Sequence, residues 1–290
     1  MSNTSQIIEE RSRDIGDFLV GRLLPFRKKR MVGPFIFIDH MGPSEVGPGK
    51  YMDIGQHPHI GLSTLTYLFA GEIMHRDTVG SNQRITPGSV NWMTAGKGVV
   101  HTERTPQDHR ADGKVREVHG FQIWVALPKE KENIDPAFQH VAKEELPRWT
   151  ENGVDFTLVA GEAYGKVSPV NVYSPLFMLE LKNEKQSKFS LNRNAKGEVG
   201  ICVVKGSVTA CNEKIVAGNM LVSKVEDACD ITINENSHLL LFGGEPFDEK
   251  RFINWNFVAT SKDRINEARE MWKNGDFELI TNGGNVVPLP

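Results

Sequence analysis

Cysteine is scarce in this chain: Cys202, Cys211 and Cys229 are the only three among 290 residues. All lie in the second half, no two at the short spacing of a thiolate metal site, and an odd number does not close a disulfide framework. They read as reduced thiols, which makes the cytoplasm the expected compartment. A surplus of one charge is also missing. Thirty-four Lys and Arg stand against 37 Asp and Glu, a net charge of -3, so no overall field draws the chain to nucleic acid or anionic lipid. No stretch approaches the ~18 consecutive apolar residues of a membrane span. Met1 to Arg13 is polar and lacks the apolar core of a secretory signal. Direct nucleic-acid binding and membrane insertion are therefore not expected. Hydrophobic residues at 39% and charged residues at 24% are ordinary for a globular protein and argue against disorder. A chain of this length fills one large or two ordinary domains.

What recurs is the short β-type run punctuated by Gly, Pro and Asn. Phe35 to Asp39, Leu65 to Phe69, Gly120 to Ala126, Leu176 to Glu180, Ile201 to Val204 and Leu239 to Phe242 are rich in β-branched and aromatic residues. Such spacing predicts an all-β protein of sandwiches or barrels. The charged, proline-broken stretch from Pro128 to Pro147 reads as a linker. The expected division is a first domain at 1–133, a linker at 134–149 and a second domain at 150–290. The second domain is expected to end in a helix: Thr260 caps it with Asp263 three residues on. Ile265, Ala268, Met271 and Trp272 then share one face, expected to pack across the second barrel, and Gly275 stops it. The halves echo each other. Ala70-Gly71-Glu72 and Pro87-Gly88-Ser89 are matched in order by Lys205-Gly206-Ser207 and Ala217-Gly218-Asn219, the mark of one barrel duplicated.

The chemistry-bearing residues come in alternating pairs. His57-Pro58-His59 places two imidazoles on one face of a strand, and Pro58 pushes His57 towards extended geometry. His101-Thr102-Glu103 repeats the two-residue step. If both strands line one barrel, three imidazoles and a carboxylate converge, a donor set suited to a first-row divalent metal. Four buried polar groups without such an ion would lack partners. His40, His75, His109, His119, His140 and His238 stand alone and read as hydrogen-bonding or surface residues. Arg27-Lys-Lys-Arg30 reads as a solvated loop, and Asp39-His40 as a turn or an orienting pair beside the site.

Several stretches closely resemble the pirin family of bicupins: Pro34 to Pro43, His57-Pro-His-Ile-Gly61, Tyr67 to Glu72, His75-Arg-Asp77, Pro87-Gly88, Trp92 to Glu103, Gly243 to Pro246 and Trp255 to Val258. The resemblance spans nearly the whole chain. It implies two tandem cupin (jelly-roll-like) barrels with one metal ion, usually iron as Fe(II), in the first. His57, His59, His101 and Glu103 are the implied ligands. The same donors would hold manganese, nickel, copper or zinc. Many cupins carry a glutamate near Ser63; its absence leaves Glu103 as the sole carboxylate. Counting ungapped from the turn glycines, the second half has Asn192, Asn194, Ile231 and Ile233 at the ligand positions, and is expected to hold no metal. The resemblance further implies quercetin 2,3-dioxygenase activity on a flavonol with O2, Glu103 acting as ligand and base. Another enolic or aromatic compound is an alternative substrate. The rival reading is a non-enzymatic redox sensor whose iron governs the binding of a protein partner, as a transcriptional coregulator or a modulator of a metabolic enzyme.

Overall fold

The computed structural model describes residues 6–15, 19–190, 196–210, 213–224 and 231–290. Two sets of eight strands recur along the chain. The first set is β1 (Phe35–Val46), β2 (Asp53–His59), β3 (Leu62–Ala70), β4 (Ile73–Asp77), β5 (Asn82–Ile85), β6 (Val90–Thr94), β7 (Val99–Arg104) and β8 (Arg116–Ala126). The second is β9 (Leu176–Asn183), β10 (Ser187–Phe189), β11 (Glu198–Lys205), β12 (Ser207–Ala210), β13 (Glu213–Val216), β14 (Asn219–Lys224), β15 (Ile231–Ile233) and β16 (His238–Gly244).

Each set folds into two facing antiparallel sheets with the same strand order. The smaller sheets run β2-β7-β4-β5 and β10-β15-β12-β13, and the larger contain β6-β3-β8-β1 and β14-β11-β16-β9. The duplication read from the sequence is thus a duplication of topology, in two jelly-roll barrels. The turn glycines fall where expected. Gly71 and Gly206, at φ 79° and 76°, join equivalent strands, as do Gly88 and Gly218. Each larger sheet is also extended beyond the repeat. Ala137–Val141 adds to β6, whereas the corresponding edge strand on β14 comes from the far N-terminus, Gln6–Glu9.

The described residues condense into two compact units, neither continuous in sequence. One draws on 1–11, 21–36 and 144–247, the other on 12–20, 37–143 and 248–290. This corrects the chain-order picture in two places. Part of the expected linker at 134–149 is a strand, Ala137–Val141, paired along β6. The C-terminal helix does not pack on the second barrel. Helix α2 (Lys262–Asn274), which follows the short α1 (Gln107–Asp112), buries Ile265, Ala268 and Trp272 against Ile60, Val100, Phe257 and Phe277. An apolar helix face goes to whichever apolar surface it can cover, and here that surface belongs to the first barrel. The helix cap shifts by one residue. The Ser261 hydroxyl accepts from the Asp263 N–H at 3.1 Å, while Thr260 donates to Glu132 Oε2 at 3.0 Å. Gly275, left-handed at φ 78°, closes the helix as expected. No helix among the described residues is long and apolar enough to cross a membrane.

The second barrel is filled by a continuous apolar cluster that includes Leu158, Leu179, Ile201, Leu221, Ile231, Ile233 and Leu241. Asn192 and Asn194 lie outside the described residues. Arg27 to Arg30 includes a tight turn, with Phe26 bridged to Lys29, and Lys29 pairs with Glu198. Cys202 is buried and free.

In the unit that contains 144–247, a buried carboxylate is paired with two bases. Glu180 Oε1 accepts from His238 Nε2 at 2.8 Å and lies 2.7 Å from Lys182 Nζ. Burial pushes the carboxyl up, but His238 and Lys182 together hold it down at about 2. A depressed carboxylate contributes stability above its unfolded pKa, near 4.3, and loses it as pH falls through its folded value. Glu180→Gln is expected to lower stability at pH 7 by about 2–3 kcal/mol. Denaturant titrations at a series of pH values should show the gap from the parent chain closing between roughly pH 4.5 and pH 2.

Candidate metal centre

The centre is built on β2 and β7, which pair antiparallel. His101 lies opposite His57, and Val99 lies opposite His59. A bulge between His101 and Glu103 sets Glu103 against Ile54, re-aiming the end of the strand as bulges do. Alternation does the rest. The His57 and His59 rings are 5.2 Å apart between centroids, His57 and His101 4.2 Å, and His59 and His101 5.0 Å. All three side chains are buried, as is Glu103. Pro58 is tolerated because β2 is an edge strand of its sheet.

That edge is covered by the C-terminal segment. Gln56 N–H donates to Asn285 O at 2.8 Å and Gln56 O accepts from Val287 N–H at 2.9 Å. The buried Gln56 amide accepts from the Ile280 N–H at 2.7 Å and donates to Gly284 O at 3.1 Å. Just past the strand, Gly61 sits at φ 67°, where an added Cβ would meet Val258 O at 2.0 Å. Only glycine admits so close a backbone.

Two of the imidazoles are oriented by backbone carbonyls. His57 Nδ1 lies 2.8 Å from Gly55 O and His59 Nδ1 3.2 Å from Asn256 O. A carbonyl only accepts, so both rings carry their proton on Nδ1 and leave Nε2 as a lone pair. His101 Nε2 is fully buried and has no hydrogen-bond partner. The Thr66 hydroxyl sits 3.1 Å from Glu103 Oε1 and 2.8 Å from the Gln122 side-chain oxygen. Trp124 meets His59 edge-on at 5.0 Å and stacks on Phe37 at 4.0 Å, giving the centre an aromatic wall.

Burial dominates the electrostatics. It pushes His57 down to about 4, against the opposing pull of Gly55 O. It also drives His59 and His101 well below the usual imidazole range, helped by the neighbouring rings. The same burial pushes Glu103 up, opposed by His75 and Thr66. Neutral imidazoles with converging lone pairs, beside a carboxylate short of positive charge, are the state a divalent cation requires. The donor types and the orphaned Nε2 fit such an ion.

Ring nitrogens of His57, His59 and His101 lie within 4.8 Å of one another, and so do donor atoms of His75, His101 and Glu103. His101 belongs to both groups. His75 therefore does not stand alone, contrary to the reading from sequence. It is buried on β4, where Ile73, His75 and Asp77 point inward and Met74 and Arg76 are half-exposed. The signal was present: His75-Arg76-Asp77 has the same two-residue step as His57-Pro58-His59 and His101-Thr102-Glu103. The other histidines behave as expected of hydrogen-bonding residues. His40 meets His119 at 2.9 Å, His140 meets Asn91 at 2.6 Å, and His109 meets Glu72 at 3.4 Å. Asp39 and His40 lie inside β1, not in a turn.

Two overlapping groups of buried donors, one of His57, His59 and His101 and one of His75, His101 and Glu103, lie inside the first of two jelly rolls. The pirin family model matches residues 18–125, and the pirin C-terminal cupin domain matches 178–278. A pirin-like protein of Caulobacter vibrioides is 45% identical over 288 residues, covering 98% of each chain. A Pseudomonas aeruginosa protein provisionally named a quercetin 2,3-dioxygenase is 39% identical over 93% of this chain and 84% of its own. The crystal structure of a quercetin 2,3-dioxygenase from Acinetobacter baumannii, 37% identical, superposes with a TM-score of 0.85 over 98% of this chain and 96% of that one. The chain belongs to the pirin family.

The bracing of β2 by the C-terminal segment is testable. Gln56→Ala removes the acceptor of Ile280 N–H and the donor to Gly284 O. Leaving such groups unsatisfied costs about 1–3 kcal/mol each, so chemical denaturation should show a loss of about 2–4 kcal/mol. An unchanged midpoint would mean the segment does not brace the strand.

Proposed function

We propose that this chain is a metal-dependent dioxygenase of the quercetin 2,3-dioxygenase type, with His57, His59, His101 and Glu103 holding one divalent ion, Fe(II) in this reading. The observation that carries it is the unpartnered Nε2 of His101, buried among two other imidazoles whose Nδ1 protons are already committed to carbonyls. The names borne by the Acinetobacter and Pseudomonas relatives support the substrate class.

When bound, the ion supplies Lewis acidity towards the flavonol 3-hydroxyl oxygen and a route for electron density to dioxygen. Glu103 takes the hydroxyl proton. Its carboxylate is the one acidic group of the proposed ligand set and can act as the base, and Thr66 steadies it through Oε1. The stacked Trp124 and Phe37 offer flat apolar surface beside His59 for an aromatic substrate and keep water from the reacting face. In the overall reaction both atoms of O2 enter the product, the oxygen heterocycle opens to a carboxylic ester with one carbon leaving as carbon monoxide, and Glu103 returns the proton to the product.

The experiment is anaerobic loading of the purified chain with Fe(II), followed by quercetin and oxygen. The expected result is loss of the flavonol absorbance with release of carbon monoxide. Glu103→Gln should lower turnover by about 100-fold or more. No flavonol loss and no carbon monoxide would overturn the enzymatic reading and favour the redox-sensing regulator. Turnover indifferent to Glu103→Gln would remove the base. Elemental analysis of protein purified without added metal identifies the resident ion.

A further inference from the structure

His75 and Asp77 form a hydrogen-bonded line that ends on His101. Asp77 is buried at the end of β4, and its Oδ1 accepts the backbone N–H groups of Val79 at 3.0 Å and Ser81 at 2.9 Å. Its Oδ2 lies 2.9 Å from His75 Nε2. His75 Nδ1 in turn lies 3.4 Å from His101 Nδ1. The His75 ring is held flat by Phe138, stacked at 4.7 Å and 23°.

The direction of each bond follows from the ends. Asp77 Oδ1 is taken up by the two backbone N–H groups, and Oδ2 faces His75 Nε2. As an ionised carboxylate Asp77 only accepts, so His75 carries its proton on Nε2. With Nε2 donating to Asp77, the other ring nitrogen of His75 faces His101 Nδ1 and is placed to accept from His101 Nδ1–H. That leaves His101 Nε2 without a proton, and Nε2 is the buried atom with no partner. Both nitrogens of His75 are thereby engaged, so His75 has no lone pair left for an ion, although it lies close enough to be counted among donors.

We infer that Asp77 and His75 are positioning residues that lock His101 in its Nδ1–H tautomer and aim an unprotonated Nε2 at the metal; this rests on the ligand reading proposed above. His57 and His59 receive the same orientation from backbone carbonyls, which no side-chain substitution can remove. Of the three imidazoles, His101 alone depends on a side-chain relay.

Asp77→Asn separates this role from simple packing. The asparagine Oδ1 must still accept from Val79 and Ser81, so its NH2 faces His75 Nε2 and forces that atom to accept. The His75 proton moves to Nδ1, His101 Nδ1 becomes the acceptor, and the His101 proton moves to Nε2, where it blocks the ion. An isosteric change at Asp77, acting on His101 through His75, thus inverts the metal-binding atom. Loss of such an outer partner typically weakens metal binding by about 10–100-fold.

The test uses the full chain with zinc(II), a diamagnetic probe, and two readouts. Zinc affinity is measured by chelator competition for the parent, Asp77→Asn, His75→Phe and the double variant. His75→Phe keeps the ring stacked on Phe138 while breaking the line. Histidine 15N NMR reads the tautomers directly in metal-free and zinc-loaded protein. The expected result is Nε2–H on His75 and Nδ1–H on His101, with Asp77→Asn about 10–100-fold weaker in zinc binding. In the His75→Phe background Asp77→Asn should add less than about twofold, since its effect runs through the ring. An unchanged affinity for Asp77→Asn, full additivity in the double variant, or a His75 protonated on both nitrogens would overturn the positioning role alone. A parent chain that binds no zinc(II) would overturn the ligand reading with it.

Discussion

The pairing of β2 with β7 governs the centre. Register along two antiparallel strands sets His57 against His101 and, through a bulge, brings Glu103 to the end of the same strand. A slip of one residue would turn every donor to the other face. The barrel interior then imposes a second condition. Four polar side chains sit where water does not reach, and burial keeps the imidazoles neutral and the carboxyl reluctant to ionise. Such a cluster is unfavourable on its own, and the divalent cation proposed for it is a partner suited to those donors.

The second barrel shows what the same topology does without that demand. Its strand order is identical, yet the core cluster among the described residues is aliphatic and aromatic. Ile231 and Ile233, at the sequence positions that correspond to His101 and Glu103, belong to that cluster. An apolar interior gains from burial directly, at about 25 cal/mol per Å2, and its strands need no oriented tautomers. The same strand order thus carries an apolar core cluster in one copy and a group of buried histidines in the other.

Much of this was legible in the sequence, because alternation along a strand is a local property. His57-x-His59 and His101-x-Glu103 state their shared face within three residues, and the paired turn glycines carry the duplication. What was hidden is non-local. The Glu132–Thr260 contact and the pairing of Gln56 with the 280–287 segment join residues more than 100 apart, and nothing in either stretch names its partner. The amphipathic face of α2 was plain, but an apolar stripe does not say which apolar surface it will cover. His75 is the instructive case. Its two-residue step to Asp77 was visible, yet a third strand had to be placed beside β7 before it could be read as part of the centre.

The most direct test is anomalous diffraction from crystals of the iron-loaded chain. The account predicts a single strong peak inside the first barrel, within coordination distance of Nε2 of His57, His59 and His101 and of a Glu103 oxygen, with His75 turned to Asp77. A peak elsewhere, or one ligated by His75 in place of one of those three imidazoles, would contradict it.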